Sequence, residues 1–133
     1  MAEQAHAVMK TGLAILLWAA DPDEPARLAT PFAHAAAAAA LELQVEVYFS
    51  ARAVLLLRPG VADGLHASER FDKTIADWMQ DALDHGARFF ACSDALAAQG
   101  LTHDDLIPAG RHHGGAVQYA LRAADPAWTT LVF

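Results

Sequence analysis

The chain has 133 residues, with nine Lys or Arg, sixteen Asp or Glu and a formal net charge of −7. This length fits one domain whose core needs no disulfide or metal, so we predict a single domain over residues 1–133. The basic residues are few and scattered, which argues against a nucleic acid or an anionic membrane as a partner. The single cysteine excludes an intramolecular disulfide and a C-x-x-C oxidoreductase, and it favours a reducing compartment.

The apolar run from Lys10 to Ala20 is the stretch that most resembles a secretion signal. We do not expect it to be one, because Glu3 precedes it and because cleavage would remove a predicted core strand. The alanine-rich stretch from Leu28 to Leu43 contains His34 and Glu42 and falls short of a membrane span. The sequence therefore predicts a cytoplasmic protein.

Apolar segments of strand length alternate along the chain with segments of helical pattern. The predicted strands are Gly12 to Ala20, Gln44 to Ser50, Arg88 to Ala91 and Trp128 to Phe133. The predicted helices are Ala33 to Leu41, an amphipathic segment from an N-cap at Ser68 to Leu83, Ser93 to Gln99, and Ala116 to Ala124. This alternation predicts right-handed βαβ crossovers and a parallel sheet covered on both faces.

Three large aromatic residues are predicted to lie in the core. Phe71 belongs to the apolar face of the helix that would begin after Ser68. Trp18 and Trp78 fall on apolar faces of predicted elements, so packing is a better account of them than ligand binding.

Cys92 stands where a predicted strand passes into a predicted helix. Arg88 to Ala91 precedes it and Ser93 to Gln99 follows it. Ligand sites in open α/β sheets lie at the carboxyl ends of the strands, and the N-terminus of a helix favours a thiolate. Cys92 is therefore the predicted reactive residue, although free cysteines are also often small buried core residues.

Several polar residues are candidates to support Cys92. Ser93 and Asp94 begin the helix after it, and the carboxylate of Asp94 opposes a neighbouring thiolate unless it points away or caps the helix. Arg111, His112 and His113 lie in a glycine-flanked loop that would supply positive charge if it folds toward the thiolate. Polar residues of this kind are also typical of solvent-exposed loops without a functional role.

Other kinds of site have little support in the sequence. Adjacent histidines point apart, and the chain lacks C-x-x-C and H-x-x-x-H spacings, so we expect no metal site. The glycines near the histidines do not form a nucleotide-binding pattern, and the serines lack the G-x-S-x-G sequence of hydrolases. We therefore expect no cofactor.

The segment that begins at Phe89 reads F-F-A-C-S-D-A-L-A-A-Q-G-L-T-H-D-D-L-I-P and is followed by Gly-Gly-Ala at residues 114–116. Its C-x-x-x-L-x-x-x-G pattern is formed by Cys92, Leu96 and Gly100, with a D-L-I and a G-A further on. In these features the chain resembles the DsrE/DsrF-like family, which includes sulfur-relay TusD-like proteins.

This resemblance spans Gly12 to Phe133. It implies an α/β fold, a single-domain three-layer sandwich with a mostly parallel sheet of about five strands, assembled as a homotrimer or homohexamer. The fifth strand would come from the region between Ile107 and Gly110 or from Ala53 to Leu57, a stretch whose own pattern indicates a short helix or a buried turn.

The resemblance also implies a sulfurtransferase-like role for Cys92. The thiol would receive sulfane sulfur from a donor protein, hold it as a persulfide and pass it to the thiol of an acceptor protein. The alternative hypothesis is a non-catalytic oligomeric module that binds a small molecule or a protein, with Cys92 as a structural residue.

Overall fold

The fold is built around a sheet of four parallel strands. The structure is a computed structural model that describes residues 8–133, so the first seven residues of the predicted domain lie outside it. The strands are β1 (Gly12–Leu17), β2 (Gln44–Phe49), β3 (Arg88–Ala91) and β4 (Trp128–Val132), in the spatial order β3-β2-β1-β4. The helices are α1 (Ala29–Ala40), α2 (Ile75–Asp84), α3 (Ser93–Ala98) and α4 (Ala116–Ala124). The predicted α/β class and the parallel sheet are confirmed.

Strand β1 is a central strand that is apolar on both faces. Leu13, Ile15 and Leu17 point to one side and join the main core, whereas Ala14 points to the other side and joins a smaller core. A continuous apolar run is what a strand covered on both faces requires. Gly12 is needed at its start, because an added Cβ would lie 2.3 Å from the ring of Trp128 on β4.

The order of the strands explains which helix covers which face. The connections β1-α1-β2 and β2-α2-β3 advance in one direction across the sheet, so right-handed crossovers place α1 and α2 on the same face. The return from β3 to β4 runs in the opposite direction, so it places α4 on the other face. Tyr119 of α4 packs there against a small core of four buried residues: Ala14, Tyr48, Phe90 and Trp128.

The expectation of about five strands was wrong, because the described residues form a sheet of four. Both regions proposed for the fifth strand are 3₁₀ helices, Ala51–Leu57 and Pro108–Gly110. The first buries Ala53, Val54, Leu56 and Leu57, a helical spacing rather than the alternation of a strand. The second begins with a proline, which has no N–H to donate to a neighbouring strand.

The helix predicted to begin after Ser68 begins later, at Ile75. Its N-cap is Thr74, whose hydroxyl accepts from the N–H of Asp77 while the Asp77 carboxylate accepts from the N–H of Thr74. This reciprocal capping box satisfies two N–H groups, which a cap at Ser68 alone would not do. Phe71 therefore precedes the helix and is 61% exposed, so the prediction that it belongs to the core was wrong.

The two tryptophans predicted to be core residues differ in their surroundings. Trp18 is 62% exposed; it follows Leu17, the last residue of β1, and its N–H donates to the carbonyl of Phe133. Trp78 is partly buried against the main core, and the ammonium group of Lys73 lies 3.9 Å from the centre of its ring. The prediction was therefore wrong for Trp18.

Candidate functional site

Cys92 is the first residue after β3 and the N-cap of α3. Its N–H donates to the carbonyl oxygen of Phe49 at 3.0 Å, which extends the hydrogen-bond ladder between β2 and β3. Its own carbonyl accepts from the N–H of Leu96 at 3.0 Å, the first bond of α3. These two bonds fix the backbone of Cys92 at the carboxyl edge of the sheet, where its side chain is half-buried.

Two cavities meet at Cys92. The inner cavity, of about 260 Å³, is enclosed mainly by the carboxyl ends of β1 and β2 and by the start of α4. Its walls include Leu16, Tyr48, Phe49, Ser50, Gly114, Gly115, Ala116 and Tyr119. The outer cavity, of about 320 Å³, is lined by Ser93, Asp94, Gly114, Gly115, Ala116 and Val117. Cys92 lines both cavities, so a reagent that enters either of them reaches its side chain.

The N-terminus of α4 lies against the thiol. A Cβ added to Gly115, the N-cap of this helix, would lie 3.9 Å from the Sγ of Cys92. The N–H groups of a first helical turn have no carbonyl partner within the helix, and they carry the positive end of its dipole. Helix α4 has nine residues and α3 has six. The positive ends of both helix dipoles therefore lie near the sulfur.

Ser93 and Asp94 occupy the first turn of α3, where both are exposed. They line the outer cavity together with Cys92. The carboxylate of Asp94 is favourable for the positive end of α3, and the same charge opposes an anion on the neighbouring sulfur. Of the two helix starts at the site, α4 is the one with no acidic residue in its first turn.

The loop that contains Arg111, His112 and His113 reaches the site through its glycines and not through these three side chains. The Nε of Arg111 donates to the carbonyl oxygen of Leu106 at 3.0 Å. His112 and His113 line a separate cleft on the α4 side of the sheet. None of these three side chains lines either cavity at Cys92, whereas Gly114 and Gly115 line both.

A pair of stacked imidazoles holds this loop in place. The Nε2 of His103 donates to the carbonyl oxygen of Ala91 at 2.9 Å, and His103 is 9% exposed. The ring of His113 stacks on that of His103 with 3.6 Å between the ring centres, and its backbone forms a parallel bridge with Ala91. These contacts fix the chain beside β3 just before Gly114, and they thereby position Gly115 against Cys92.

Tyr48 links the inner cavity to a partly buried ion pair. Its hydroxyl donates to the Oε1 of Glu46 at 2.8 Å. The Nε and Nη2 of Arg122, on α4, donate to the two oxygens of the same carboxylate at 2.8 and 3.0 Å. Burial, and then the hydrogen bond to Glu46, raises the pKa of Tyr48 well above its ordinary value. The hydrogen bond with Glu46 also raises the pKa of Arg122. Tyr48 therefore presents a neutral ring to the cavity.

Several features of this site were not predicted from the sequence: Leu16, Tyr119 and the contact made by Gly115. One signal was available: alternation along β2 places Glu46 and Tyr48 on the same face of a strand. A carboxylate that faces inward on a covered sheet requires a charged partner, which Arg122 supplies. No local pattern indicates Gly115, because its contact with Cys92 joins residues from two separate elements.

Two observations bear on other kinds of function. Within residues 8–133 no group of three or more His, Cys, Asp or Glu side chains is arranged to hold a metal ion. In the same part of the chain, no helix combines the length and apolar character needed to cross a bilayer.

The fold and the site together define a small α/β protein with a thiol at the carboxyl edge of a parallel sheet. The family model of the DsrE/DsrF-like family matches residues 13–133. The chain therefore belongs to the DsrE/DsrF-like family, which is associated with sulfur relay. The resemblance stated from the segment around Cys92 is confirmed.

The chain is also similar to a solved structure, that of the protein of unknown function MTH1491 from Methanobacterium thermoautotrophicum. The TM-score is 0.66 and the sequence identity is 21%, over 92% of this chain and 99% of that chain. At this identity the similarity supports the fold alone. Among curated proteins, none matches the chain significantly.

Proposed function

We propose that this protein carries sulfane sulfur as a persulfide on Cys92 and passes it to the thiol of a partner protein. The observation that carries the proposal is the position of Cys92, half-buried between two cavities and against the N-terminus of α4. A persulfide carrier needs a thiolate, access for a donor, and no second thiol nearby that would form a disulfide with it. The chain has one cysteine, so the last condition is met within a protomer.

The chemistry of loading is a thiol exchange. The Cys92 thiolate attacks the outer sulfur of a donor persulfide, R–S–SH. A bond forms between Sγ and that sulfur as the bond to the donor sulfur breaks, and the donor leaves as a thiolate that takes up a proton. In unloading, an acceptor thiolate attacks the outer sulfur and Cys92 is the leaving thiolate. Neither step changes the total oxidation state of the sulfur atoms involved, so neither needs an external oxidant.

The site contains groups suited to each stage of this exchange. The inner cavity provides space for the additional sulfur beside the neutral ring of Tyr48 and the apolar side chain of Leu16. The first turn of α4 stabilises negative charge on Cys92 before loading and on the persulfide afterwards. The outer cavity is bordered on one side by Ser93 and Asp94, exposed residues of α3, and this side offers a partner an approach to the thiol.

The proposal includes donor and acceptor proteins, a cytoplasmic location and a homo-oligomer. Membership of the family supports a relay with protein partners. Exposed apolar residues on α4 support association: Val117 is 79% exposed and Leu121, one turn later, is 66% exposed. Light scattering after gel filtration tests the oligomer, with Leu121→Glu expected to reduce the mass and Leu41→Glu, 76% exposed at the end of α1, expected to leave it unchanged.

Alkylation distinguishes the carrier from the alternative module with an inert cysteine. We expect the native protein to react with iodoacetamide at neutral pH, because a thiolate with access to solvent is the reactive form of cysteine. Reaction only after unfolding would mean that Cys92 is a structural thiol and would leave the non-catalytic binding module as the better account. The number of alkyl groups per chain, read from intact mass, is the measurement.

A further inference from the structure

We infer that a cleft on the α4 side of the sheet, separate from the cavities at Cys92, binds a small anion through Arg88 and Arg122. The cleft has a volume of about 470 Å³ and lies between β3 and α4. Its polar side chains are Arg88, His112, His113, Gln118 and Arg122. No Asp or Glu side chain of the described residues lines it, although the whole chain has a formal net charge of −7.

Arg122 is held in position before any ligand arrives. Its Nε and Nη2 donate to Glu46, and its guanidinium lies 4.1 Å from the centre of the Trp128 ring. A guanidinium has five N–H donors, and the bidentate pair with Glu46 occupies two of them. Donors that Glu46 does not use can bind a ligand in the cleft that Arg122 lines, and little side-chain entropy is lost on binding because the guanidinium is already fixed.

Arg88 supplies the net positive charge of the cleft. Glu46 neutralises Arg122, whereas Arg88 forms no ion pair with any residue in the range 8–133. Its guanidinium lies 5.1 Å from the centre of the Phe90 ring, a cation–π contact that keeps the charge at the cleft wall. An exposed cation with no carboxylate partner, in the same cleft as a second arginine, is an arrangement that favours an anion in that cleft.

The donors of the cleft indicate the chemistry of the ligand. Guanidinium groups bind the oxygens of carboxylates and phosphates through paired N–H bonds, and the Gln118 amide adds further donors. The ligand that we infer is therefore a small molecule that carries a carboxylate or a phosphate group. It goes beyond the proposed sulfur chemistry, since no contact that supports it involves Cys92.

Inorganic phosphate is the first probe, added at constant ionic strength while the arginine Nε–Hε signals are followed by NMR. We expect saturable shifts of the Arg88 and Arg122 signals, and about tenfold weaker binding in Arg88→Gln because a charge-assisted hydrogen bond is lost. Arg27→Gln is the matched control, because its exposed side chain is paired with Glu24 away from the cleft. Cys92→Ala is expected to bind phosphate as the native protein does, which separates this test from that of the proposed function.

His112→Ala is a second variant. His112 is an exposed loop residue that lines the cleft, and its replacement is also expected to weaken the binding of phosphate. Acetate in a parallel titration distinguishes the two ligand groups, since the tighter of the two anions identifies the group that the cleft prefers. Unchanged affinity in Arg88→Gln and His112→Ala, equal loss in Arg27→Gln, or shifts that do not saturate with either anion would overturn the inference.

Discussion

The Sγ of Cys92 lies 3.9 Å from the position that a Cβ on Gly115 would occupy. A side chain larger than methyl at residue 115 would therefore fill the space beside the thiol that both cavities share. We expect Gly115→Val to slow the alkylation of Cys92 several-fold at neutral pH without altering the fold. The initial rate of iodoacetamide incorporation, followed by intact mass, is the measurement.

Gly64→Val is the matched control for this substitution. A Cβ at Gly64 would meet no atom within 4 Å, and its backbone does not adopt a positive φ. Its alkylation rate should equal that of the native protein. If Gly115→Val also reacts at the native rate, reagents reach Cys92 by a route that does not pass the N-terminus of α4.

The Arg122–Glu46 pair joins α4 to the sheet, and we expect Arg122→Met to destabilise the protein. The side chain of Glu46 is 6% exposed, so the loss of Arg122 would leave its buried charge without a partner. The side chain of Arg122 is 32% exposed. The expected loss of unfolding free energy is about 2 to 3 kcal/mol, at or below the lower end of the range for a fully buried pair because water reaches Arg122. Urea unfolding at neutral pH measures it.

Arg27→Met provides the comparison, because Arg27 and Glu24 form an exposed pair with 74% and 54% of their side-chain surfaces accessible. Its effect should be within about 0.5 kcal/mol of zero. Adding Glu46→Gln to Arg122→Met should restore part of the lost stability, since the uncompensated charge is removed. A similar loss in the two arginine variants would mean that the partly buried Arg122–Glu46 pair contributes no more than a surface pair.

Tyr48 should make the protein less stable at alkaline pH. Burial raises the pKa of Tyr48 above its ordinary value of 10.0, and the hydrogen bond to Glu46 adds to this effect. Below about pH 10 the phenol is protonated in both states, so the contribution to stability is complete. As the pH rises further, the unfolded chain loses this proton while the folded chain keeps it, so the unfolding free energy falls.

We therefore expect the loss of unfolding free energy between about pH 8 and about pH 11 to be smaller in Tyr48→Phe than in the native protein. Tyr119→Phe serves as the control, because its hydroxyl is only part-buried and lies 3.5 Å from the carbonyl oxygen of Leu131. Urea midpoints at the two pH values give the comparison. The same alkaline loss in Tyr48→Phe and in the native protein would remove Tyr48 as its source.

Thr74→Ala should destabilise the protein by about 1 kcal/mol, the usual effect of losing an N-cap hydroxyl. The Thr74 hydroxyl accepts from the N–H of Asp77 at 3.1 Å as part of a capping box. Ser68→Ala should change the stability by less than about 0.5 kcal/mol, because Ser68 begins no helix in this structure. Thermal or urea unfolding of the two variants compares them directly, and a larger loss in Ser68→Ala would contradict the observed helix start.

The strands and the helix after Cys92 could be predicted from the sequence because their patterns are local. The apolar run of β1, the alternation of β2 and the Cys92-to-Ser93 junction each specify an element within a few residues. The start of α2 was misplaced because Ser68 and Thr74 are both acceptable N-caps. The reciprocal hydrogen bonds with Asp77 favour Thr74 as the N-cap. The apolar residue Phe71 fitted the apolar face of a longer helix, so the pattern favoured the earlier start at Ser68.

The sheet order and the walls of the site depend on contacts between distant residues. Nothing near Cys92 in the sequence indicates that Gly115 lies beside it, since that contact depends on the crossover from β3 to β4 and on the stacking of His113 on His103. A fifth strand was expected from a family pattern. In this chain one candidate region has the burial spacing of a helix and the other begins at Pro108, so both are 3₁₀ helices.

The most direct test of the account is the mass of the protein after exposure to a sulfane sulfur donor. The native protein and Cys92→Ala are incubated with polysulfide or with a sulfur-loaded cysteine desulfurase, and intact masses are taken with and without reductant. The account predicts a gain of one sulfur atom on the native protein, reversed by reductant and absent from Cys92→Ala. A native protein that gains no sulfur, or a gain that persists in Cys92→Ala, would contradict it.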